Sequence, residues 1–362
     1  MDIIDALKDL CLARGISGHE GEVARVFKSH IEPYSDSLKT DKAGNVICKI
    51  AGTKRSSRKV MIFAHLDTLG MIVRKIDTSG LIQVDRLGGL PEKALPGLHV
   101  TISKFDGGYL DGVIGVKSLH ATSDDEKYKT AKVTELLIDI GAKSREEVLA
   151  AGVRIGCPVI YQPSFSRLLG NTICGTALDN RGGCASLIAI AKALHDDRPD
   201  SDIYIVATVW EEFSIRGAIF AARAIKPDFA ICLDISLAGD TPDTSGMFET
   251  TLGGGPTISL YNFHGRGTLN GTIAHRGLYL LALRCAQENN IPVQEFAALG
   301  ILTDAAYVQL ENDYIACIDI GFPARYAHSP VECCDLSDIE RMSELVIAMA
   351  RNINDSLSSS RY

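Results

Sequence analysis

The chain has 362 residues, 46% of them hydrophobic, with 37 basic against 45 acidic residues and a net charge of -8. That balance argues against a phosphate-binding surface, so no nucleic-acid partner is expected. The length exceeds the usual size of a single core, which calls for one large domain with a substantial insertion or for two domains.

Residues 2–14 and 19–33 carry helical apolar spacing, and the acidic, amphipathic start lacks the basic region and apolar core of a signal peptide. Strand-like runs follow at 37–40, 46–50 and 59–64, an opening typical of an α/β domain. From residue 70 to about 163 the pattern changes to brief β-rich alternations broken by glycine, at 70–76, 81–84, 99–103 and 112–116, with one helical stretch at 145–151. This reads as a separate, mostly β insert. The alternation then resumes: strand 172–176, helix 181–195, strand 203–210, helix 215–225, strand 229–233, a helix around 272–288, strand 315–320 and a final helix 337–352. The outer segments are expected to form one doubly wound α/β sheet. No run approaches the roughly 18 uninterrupted apolar residues that cross a bilayer, so no membrane partner is expected. The ten cysteines include no Cys-x-x-Cys, and many lie in apolar strands (Cys48, Cys174, Cys232, Cys317), as reduced core residues do; a cytoplasmic setting is expected. The adjacent Cys333-Cys334 invites a redox or metal reading, although tetrahedral thiolate sites use spaced pairs.

Chemistry-bearing residues gather at the carboxyl ends of the expected sheet strands, where open α/β sheets place their sites. His65 and Asp67 follow the run 60–64, Asp179 precedes a helix, Glu211 and Glu212 end the run 203–210, Asp234 ends 231–233, and His328 lies in Tyr326-Ala327-His328-Ser329-Pro330. Neighbours in an extended chain point to opposite faces, so the glutamate pair is expected to divide its work, one carboxylate fixed and the other free. In His65-Leu66-Asp67 both polar side chains share a face, which lets Asp67 orient His65 while His65 binds metal. Two histidines and three carboxylates suffice for two metals if one carboxylate bridges them, and mixed N/O ligation fits Zn²⁺ or another divalent transition ion better than Mg²⁺ or Ca²⁺. Such a centre activates a water, and the remaining carboxylate would be the base that moves its proton.

Competing chemistries have no motif: there is no Gly-x-Ser-x-Gly elbow, no Gly-x-Gly-x-x-Gly and no Walker loop, and Gly253-Gly254-Gly255-Pro256 reads as a turn. His19-Glu20-Gly21-Glu22-Val23 lacks the second ligand of a His-Glu-x-x-His motif and reads as a helix N-terminus, with Ser17 or Gly18 near the cap. His120, in a loop of the insert, is the one other histidine placed to reach the mouth of the site.

In order and spacing, His65-x-Asp67, Ala177-Leu178-Asp179-Asn180-Arg181, Glu211-Glu212 followed by Arg216-Gly217-Ala218, Asp234, and His328-Ser329-Pro330-Val331-Glu332 resemble the dinuclear metallo-aminopeptidases of the tetrahedral (TET) type. That family includes glutamyl, leucyl and deblocking aminopeptidases, and some members are labelled endoglucanase M. The resemblance covers nearly the whole chain. It implies a zinc-exopeptidase-like catalytic domain of residues 1–67 and 167–362, with a β-barrel or PDZ-like dimerisation insert at 68–166. It further implies that His65, Asp179 and Asp234 bind one metal and Asp179, Glu212 and His328 the other, Asp179 bridging, with Glu211 as general base and Asp67 supporting His65. Zinc is the expected ion, with cobalt or manganese as alternatives; peptides are the expected substrates, and dimers assembling to a dodecamer the expected oligomer. The chain departs from the family pattern at Phe213-Ser214, where relatives have Val-Gly, at Ser118-Leu119 in place of Pro-Pro, and at Ile301-Leu302-Thr303-Asp304 in place of Gly-Gly-Thr-Asp. None is a ligand position; these departures bear on side-chain preference and oligomer, and leave open whether Thr303 or Asp304 serves the site. The expected activity is therefore removal of N-terminal residues from peptides, with hydrolysis of N-acylated peptides, or of a glucan, as the alternatives.

Overall fold

Four apolar runs become the parallel centre of a mixed sheet. In the computed structural model, which describes residues 3–53, 58–265 and 267–361, the strands Asp202–Thr208, Lys59–His65, Phe229–Leu237 and Ala316–Arg325 lie side by side and parallel. The first residue of the helix expected at 2–14 lies outside the described residues. From Val60 to His65 every residue is buried, as a strand covered on both faces requires. Its side chains alternate between two cores: Val60, Ile62 and Ala64 join the larger one, Met61 and Phe63 the smaller. The helices Ile3–Leu12, Gly21–Ile31, Leu178–Asp196, Arg276–Glu288 and Leu336–Asn352 cover the first face, while Gly217–Ile225 and Ala305–Val308 cover the second. Helices on both faces make the sheet doubly wound, as the sequence pattern predicts.

Antiparallel strands extend the sheet on either side: Val46–Ile50 and Ser37–Thr40 at one edge, Glu332–Asp335, Thr172–Gly175 and Phe165–Arg167 at the other. A wing of Thr257–Phe263, Gly271–Ile273 and Gln294–Leu299 attaches to Ala316–Arg325. The sequence pattern did not predict this wing. The helix expected at 272–288 begins only at Arg276, because the β-branched Thr272 and Ile273 pair with Asn262 and Tyr261, and the His275 ring accepts the Leu278 N–H to cap the shortened helix. The expected turn at Gly253 to Pro256 is present, with both oxygens of buried Asp338 accepting the Gly253 and Gly255 N–H groups at 2.7 and 2.8 Å.

Between Gly70 and Tyr161 the chain forms a closed six-stranded barrel, in the order Gly70–Ile76, Ile82–Leu87, Leu137–Asp139, Tyr109–Ile114, His99–Ser103, Pro158–Tyr161. It has its own apolar core of Met71, Val73, Ile82, Val84, Val100, Ile102, Ile138 and Val159. Arg145–Ala150 is helical, capped by the Ser144 side chain on the Glu147 N–H. Two of the barrel strands, Leu137–Asp139 and Pro158–Tyr161, are too short to carry a readable alternation.

Candidate active site

The parallel strands all deliver their carboxyl ends to one edge of the sheet. His65 closes Lys59–His65, Asp234 stands in Phe229–Leu237, Glu211 and Glu212 follow Thr208, and His328 follows Arg325. Asp179 comes from the opposite direction, in the first turn of Leu178–Asp196. That turn is tied to its neighbours: Asn180 donates to the Leu233 carbonyl at 2.7 Å and accepts the Gly183 N–H at 3.1 Å. The fully buried Arg181 donates to the carbonyls of Leu10 and Gly15. Gly217 has a comparable local reason, since a Cβ there would lie 2.0 Å from the Val209 carbonyl oxygen.

Asp179 divides its carboxylate between two imidazoles. Its Oδ1 lies 3.1 Å from His65 Nε2, and its Oδ2 lies 3.4 Å from His328 Nε2. Asp234 Oδ1 is 3.9 Å from His65 Nε2, and Glu212 Oε2 is 4.0 Å from His328 Nε2. Two groups result, His65 with Asp179 and Asp234, and Asp179 with Glu212 and His328, each with its donor atoms within 4.8 Å of one another. Asp179 Oδ1 and Glu212 Oε1 are buried and accept no hydrogen bond; the approach of His65 Nε2 to the former lacks hydrogen-bond alignment. Buried carboxylate oxygens left unpartnered are costly, and a cation between such donors removes the cost. The residues present therefore fit a pair of divalent cations, and two imidazoles among carboxylates suit a transition ion.

Both rings are held with Nε2 facing the acids. His65 Nδ1 donates to the Asp67 carbonyl at 3.0 Å, and His328 Nδ1 donates to the Gly89 carbonyl at 3.0 Å, so in each neutral ring Nε2 keeps its lone pair. The sequence reading gave the first task to the Asp67 carboxylate, whose Oδ1 instead stands 3.8 Å from the ring. That carboxylate accepts the Glu211 N–H at 3.0 Å, the Glu212 N–H at 3.1 Å and the Ser17 hydroxyl at 2.6 Å. Asp67 orients His65 through its backbone and the glutamate pair through its side chain. Ser17 is consequently not a helix cap; the residue before Gly21–Ile31 is Glu20.

The opposite-face expectation for Glu211 and Glu212 is corrected. The chain leaves its strand at Thr208 and turns at Trp210, which has φ +61°, so both carboxylates line one cavity. They are still distinct: Glu212 joins the His328 group, while Glu211 belongs to neither group and stands 3.9 Å from His65 Nε2. The cavity, about 770 Å³, continues past the acids to Ile235, Leu237, Ile301, Leu302 and Tyr307. Thr303 lines it and donates to Asp319 at 2.8 Å, whereas Asp304 lies beneath and accepts the Thr208 hydroxyl at 2.8 Å. His120 is exposed and does not line it.

Two further residues support the site and escaped the sequence reading. Glu20 Oε1 accepts the Gly18 and Trp210 N–H groups, at 2.7 and 3.3 Å, and so holds the turn that presents Glu211. Glu332 accepts the Asp179 N–H at 3.0 Å and the His328 N–H at 2.6 Å, joining two candidate ligands through one buried carboxylate. Glu332 stood within the His328 motif, but nothing in its spacing announced this contact.

The electrostatics are those of crowded acids. Burial, then the charges of Glu212 and Asp234, raise Glu211 well above the usual carboxylate range against the pull of His65. Burial lifts Glu212 to about 7, and burial with the Asp179 charge lifts Glu332 to about 8. Burial alone would lower His65, but the charges of Glu211, Asp234 and Asp179 outweigh it and raise the ring well above its ordinary value. At Asp179 burial is overcome by the two histidines, and the carboxyl is held below its usual range.

Comparison with known proteins agrees with this geometry. The chain is 39% identical over 348 residues to SgcX of Escherichia coli (strain K12), covering 96% of this chain and 92% of that one. Its fold is similar to that of aminopeptidase APDkam598 from the archaeon Desulfurococcus kamchatkensis, with 33% identity, a TM-score of 0.91, and 98% of this chain and 97% of that one covered. It is similar also to PhTET1-12s, a dodecamer in the asymmetric unit, with 29% identity, a TM-score of 0.85, and coverage of 98% and 100%. Residues 44–345 match the family described as M42 glutamyl aminopeptidase, and the chain belongs to that family: it is an aminopeptidase, a hydrolase acting on peptide bonds.

Proposed function

We propose that this aminopeptidase removes N-terminal residues from peptides at a centre of two divalent cations, one held by His65, Asp179 and Asp234 and the other by Asp179, Glu212 and His328. The observation that carries the reading is the division of Asp179 between two imidazoles, with Glu211 left outside both groups. Zinc suits the donors best, and cobalt or manganese are accepted by the same set. Cations held by these residues would polarise a scissile carbonyl and lower the pKa of a water toward neutrality. Glu211 is the general base: its backbone is pinned by Asp67, its carboxylate is free, and burial already favours its protonated form once it has taken a proton. It then releases that proton to the leaving amine. Asp67, Glu20 and Glu332 touch no substrate in this scheme; they hold the residues that do.

The test is titration of chelator-treated protein with Zn²⁺ by calorimetry, alongside release of p-nitroaniline from aminoacyl substrates. Two ions per chain and a Glu211→Gln variant that binds both yet hydrolyses little are expected. One ion per chain, or full activity in that variant, would sink the reading. Acyl-aminoacyl substrates and a soluble glucan assayed beside these distinguish the deblocking and glucanase alternatives; with Glu212 assigned to a cation, Glu211 has no second free carboxyl to share a glycosidic bond with.

The β-rich segment 68–166 is proposed as a dimerisation unit and the assembly as a dodecamer, supported by the similarity to PhTET1-12s. Light scattering on the purified chain tests both, since deletion of that segment should leave a smaller species. No helix among the described residues is long and apolar enough to cross a membrane, which is compatible with the proposed cytoplasmic setting.

A further inference from the structure

Cys174 and Cys333 face one another across two antiparallel strands. The register of Thr172–Gly175 against Glu332–Asp335 sets Cys174 opposite Cys333, and the next pair along is Gly175 opposite Glu332. Directly opposed residues in such a ladder share a face, with Cα atoms about 4.5 or 5.5 Å apart, and both values lie inside the roughly 4.4–6.8 Å range that a disulfide spans. Cys174 is half-buried and Cys333 is 6% exposed, so Cys174 is the more accessible residue of the two. Cys174 is accordingly the attacking group, and burial with the neighbouring Cys174 thiol pushes Cys333 up to about 12. The adjacent Cys334, conspicuous in sequence, is opposite Ile173, fully buried and no partner for Cys333 in this ladder.

The position of the pair gives it a consequence. Cys333 directly follows Glu332, which holds the Asp179 and His328 N–H groups, and Cys174 lies on the strand that runs into Asp179. Opposed β carbons sit about 4.5–5.5 Å apart, whereas a disulfide draws them to about 3.8 Å, an adjustment on the order of 1 Å. It falls on the two segments that present Glu332 and Asp179, and catalytic geometry is sensitive at that scale.

We propose that Cys174 and Cys333 are a reversible disulfide site, and that closing it lowers the activity of the adjacent centre. With a peroxide as oxidant, the Cys174 thiolate attacks one peroxide oxygen to give a sulfenic acid and release hydroxide, which takes up a proton as water. Cys333 sulfur then attacks the Cys174 sulfur, forming the S–S bond and expelling the sulfenic oxygen as a second water. Two thiols are oxidised and one hydrogen peroxide is reduced, with two waters released; a dithiol reverses the bond by exchange.

The experiment uses the full-length protein, treated with graded hydrogen peroxide and then with dithiothreitol. Mass spectrometry of a non-reduced digest is expected to find the Cys174–Cys333 cross-linked peptide. Activity should fall by about fivefold or more as that peptide appears, and return on reduction. Cys174→Ser, at the half-buried position, should start with wild-type activity and keep it through the same treatment; Cys174→Ala is the second variant. Absence of the cross-linked peptide, a cross-link that leaves activity unchanged, or an equal loss in both Cys174 variants would each overturn the proposal.

Discussion

The two halves of the candidate centre are built differently. The half around His65 and Asp234 is made by the sheet itself: Lys59–His65 and Phe229–Leu237 are neighbouring parallel strands, and the His65 side chain is 2% exposed. The half around His328 is assembled from distant parts of the chain. That ring, 38% exposed, sits on a turn with φ +67°, its Nδ1 on Gly89 of the loop between the barrel strands Ile82–Leu87 and His99–Ser103 and its N–H on Glu332. Tyr161, at the end of the last barrel strand, donates to the His328 carbonyl at 3.4 Å. His65 and Asp234 are fixed as soon as the parallel sheet forms, whereas the His328 half depends on the insert and the loops closing correctly. In the proposed two-cation centre, the difference would make the His328 half the place where affinity for the second cation is set.

Substitutions can break this contrast in graded ways. The largest effect is expected at Glu211, which belongs to neither half: Glu211→Gln should lower kcat by about 10² to 10⁴ while both halves keep their ions, measured by steady-state kinetics beside calorimetry. His328→Ala should weaken the second ion by more than about 100-fold and leave the first in place, so that the zinc stoichiometry read from dialysed protein falls from two to one. Loss of both ions would mean that the halves are not separable. Glu332→Ala removes two hydrogen bonds without touching a proposed ligand atom, and should weaken the second ion by about 10- to 100-fold and the first by less, because of the two residues it releases His328 serves only the second ion and Asp179 serves both. An equal loss in both ions would place its effect at the shared Asp179 rather than at the His328 half.

The same contrast explains what was legible in the sequence. A strand covered on both faces must be apolar throughout, so Lys59–His65, Asp202–Thr208 and Phe229–Leu237 announce themselves, and so do the polar residues at their ends. His65 and Asp234 were readable for that reason, while Asp179 stood out as an acid placed just before a helix. The wing strand Thr257–Phe263 was not, because three of its seven residues are partly or fully exposed and its pairing with Ala316–Arg325 is known only once the fold has formed. Nor were the supports of the His328 half, which act across the chain: Gly89 lies 239 residues from His328, and Glu332 lies 153 residues from Asp179. The family resemblance supplied the ligand grouping that periodicity alone left open, yet it gave Asp67 to the ring rather than to the glutamates, a distinction that depends on the turn at Trp210.

A pair outside both halves provides the smallest effect and a control. Arg198 donates two hydrogen bonds to Asp36, at 2.5 and 2.7 Å, and the Ala51 N–H donates a third at 2.7 Å. These contacts hold the Asp36 carboxyl below its usual range, the Arg198 bonds contributing most. A carboxyl depressed in the folded state stabilises the protein above its unfolded pKa of about 4, and that contribution is lost as pH falls through 4 toward the lower folded value. With the Asp36 side chain 33% exposed, solvent screening limits the gain to about 1 kcal/mol or less. Asp36→Asn should therefore lower the denaturation midpoint slightly and evenly between pH 6 and 8, converge on wild type below about pH 4, and leave zinc stoichiometry and kcat unchanged. A shift in either catalytic readout would mean that the edge strands and the centre are coupled, and that the sheet half is less self-sufficient than its burial implies.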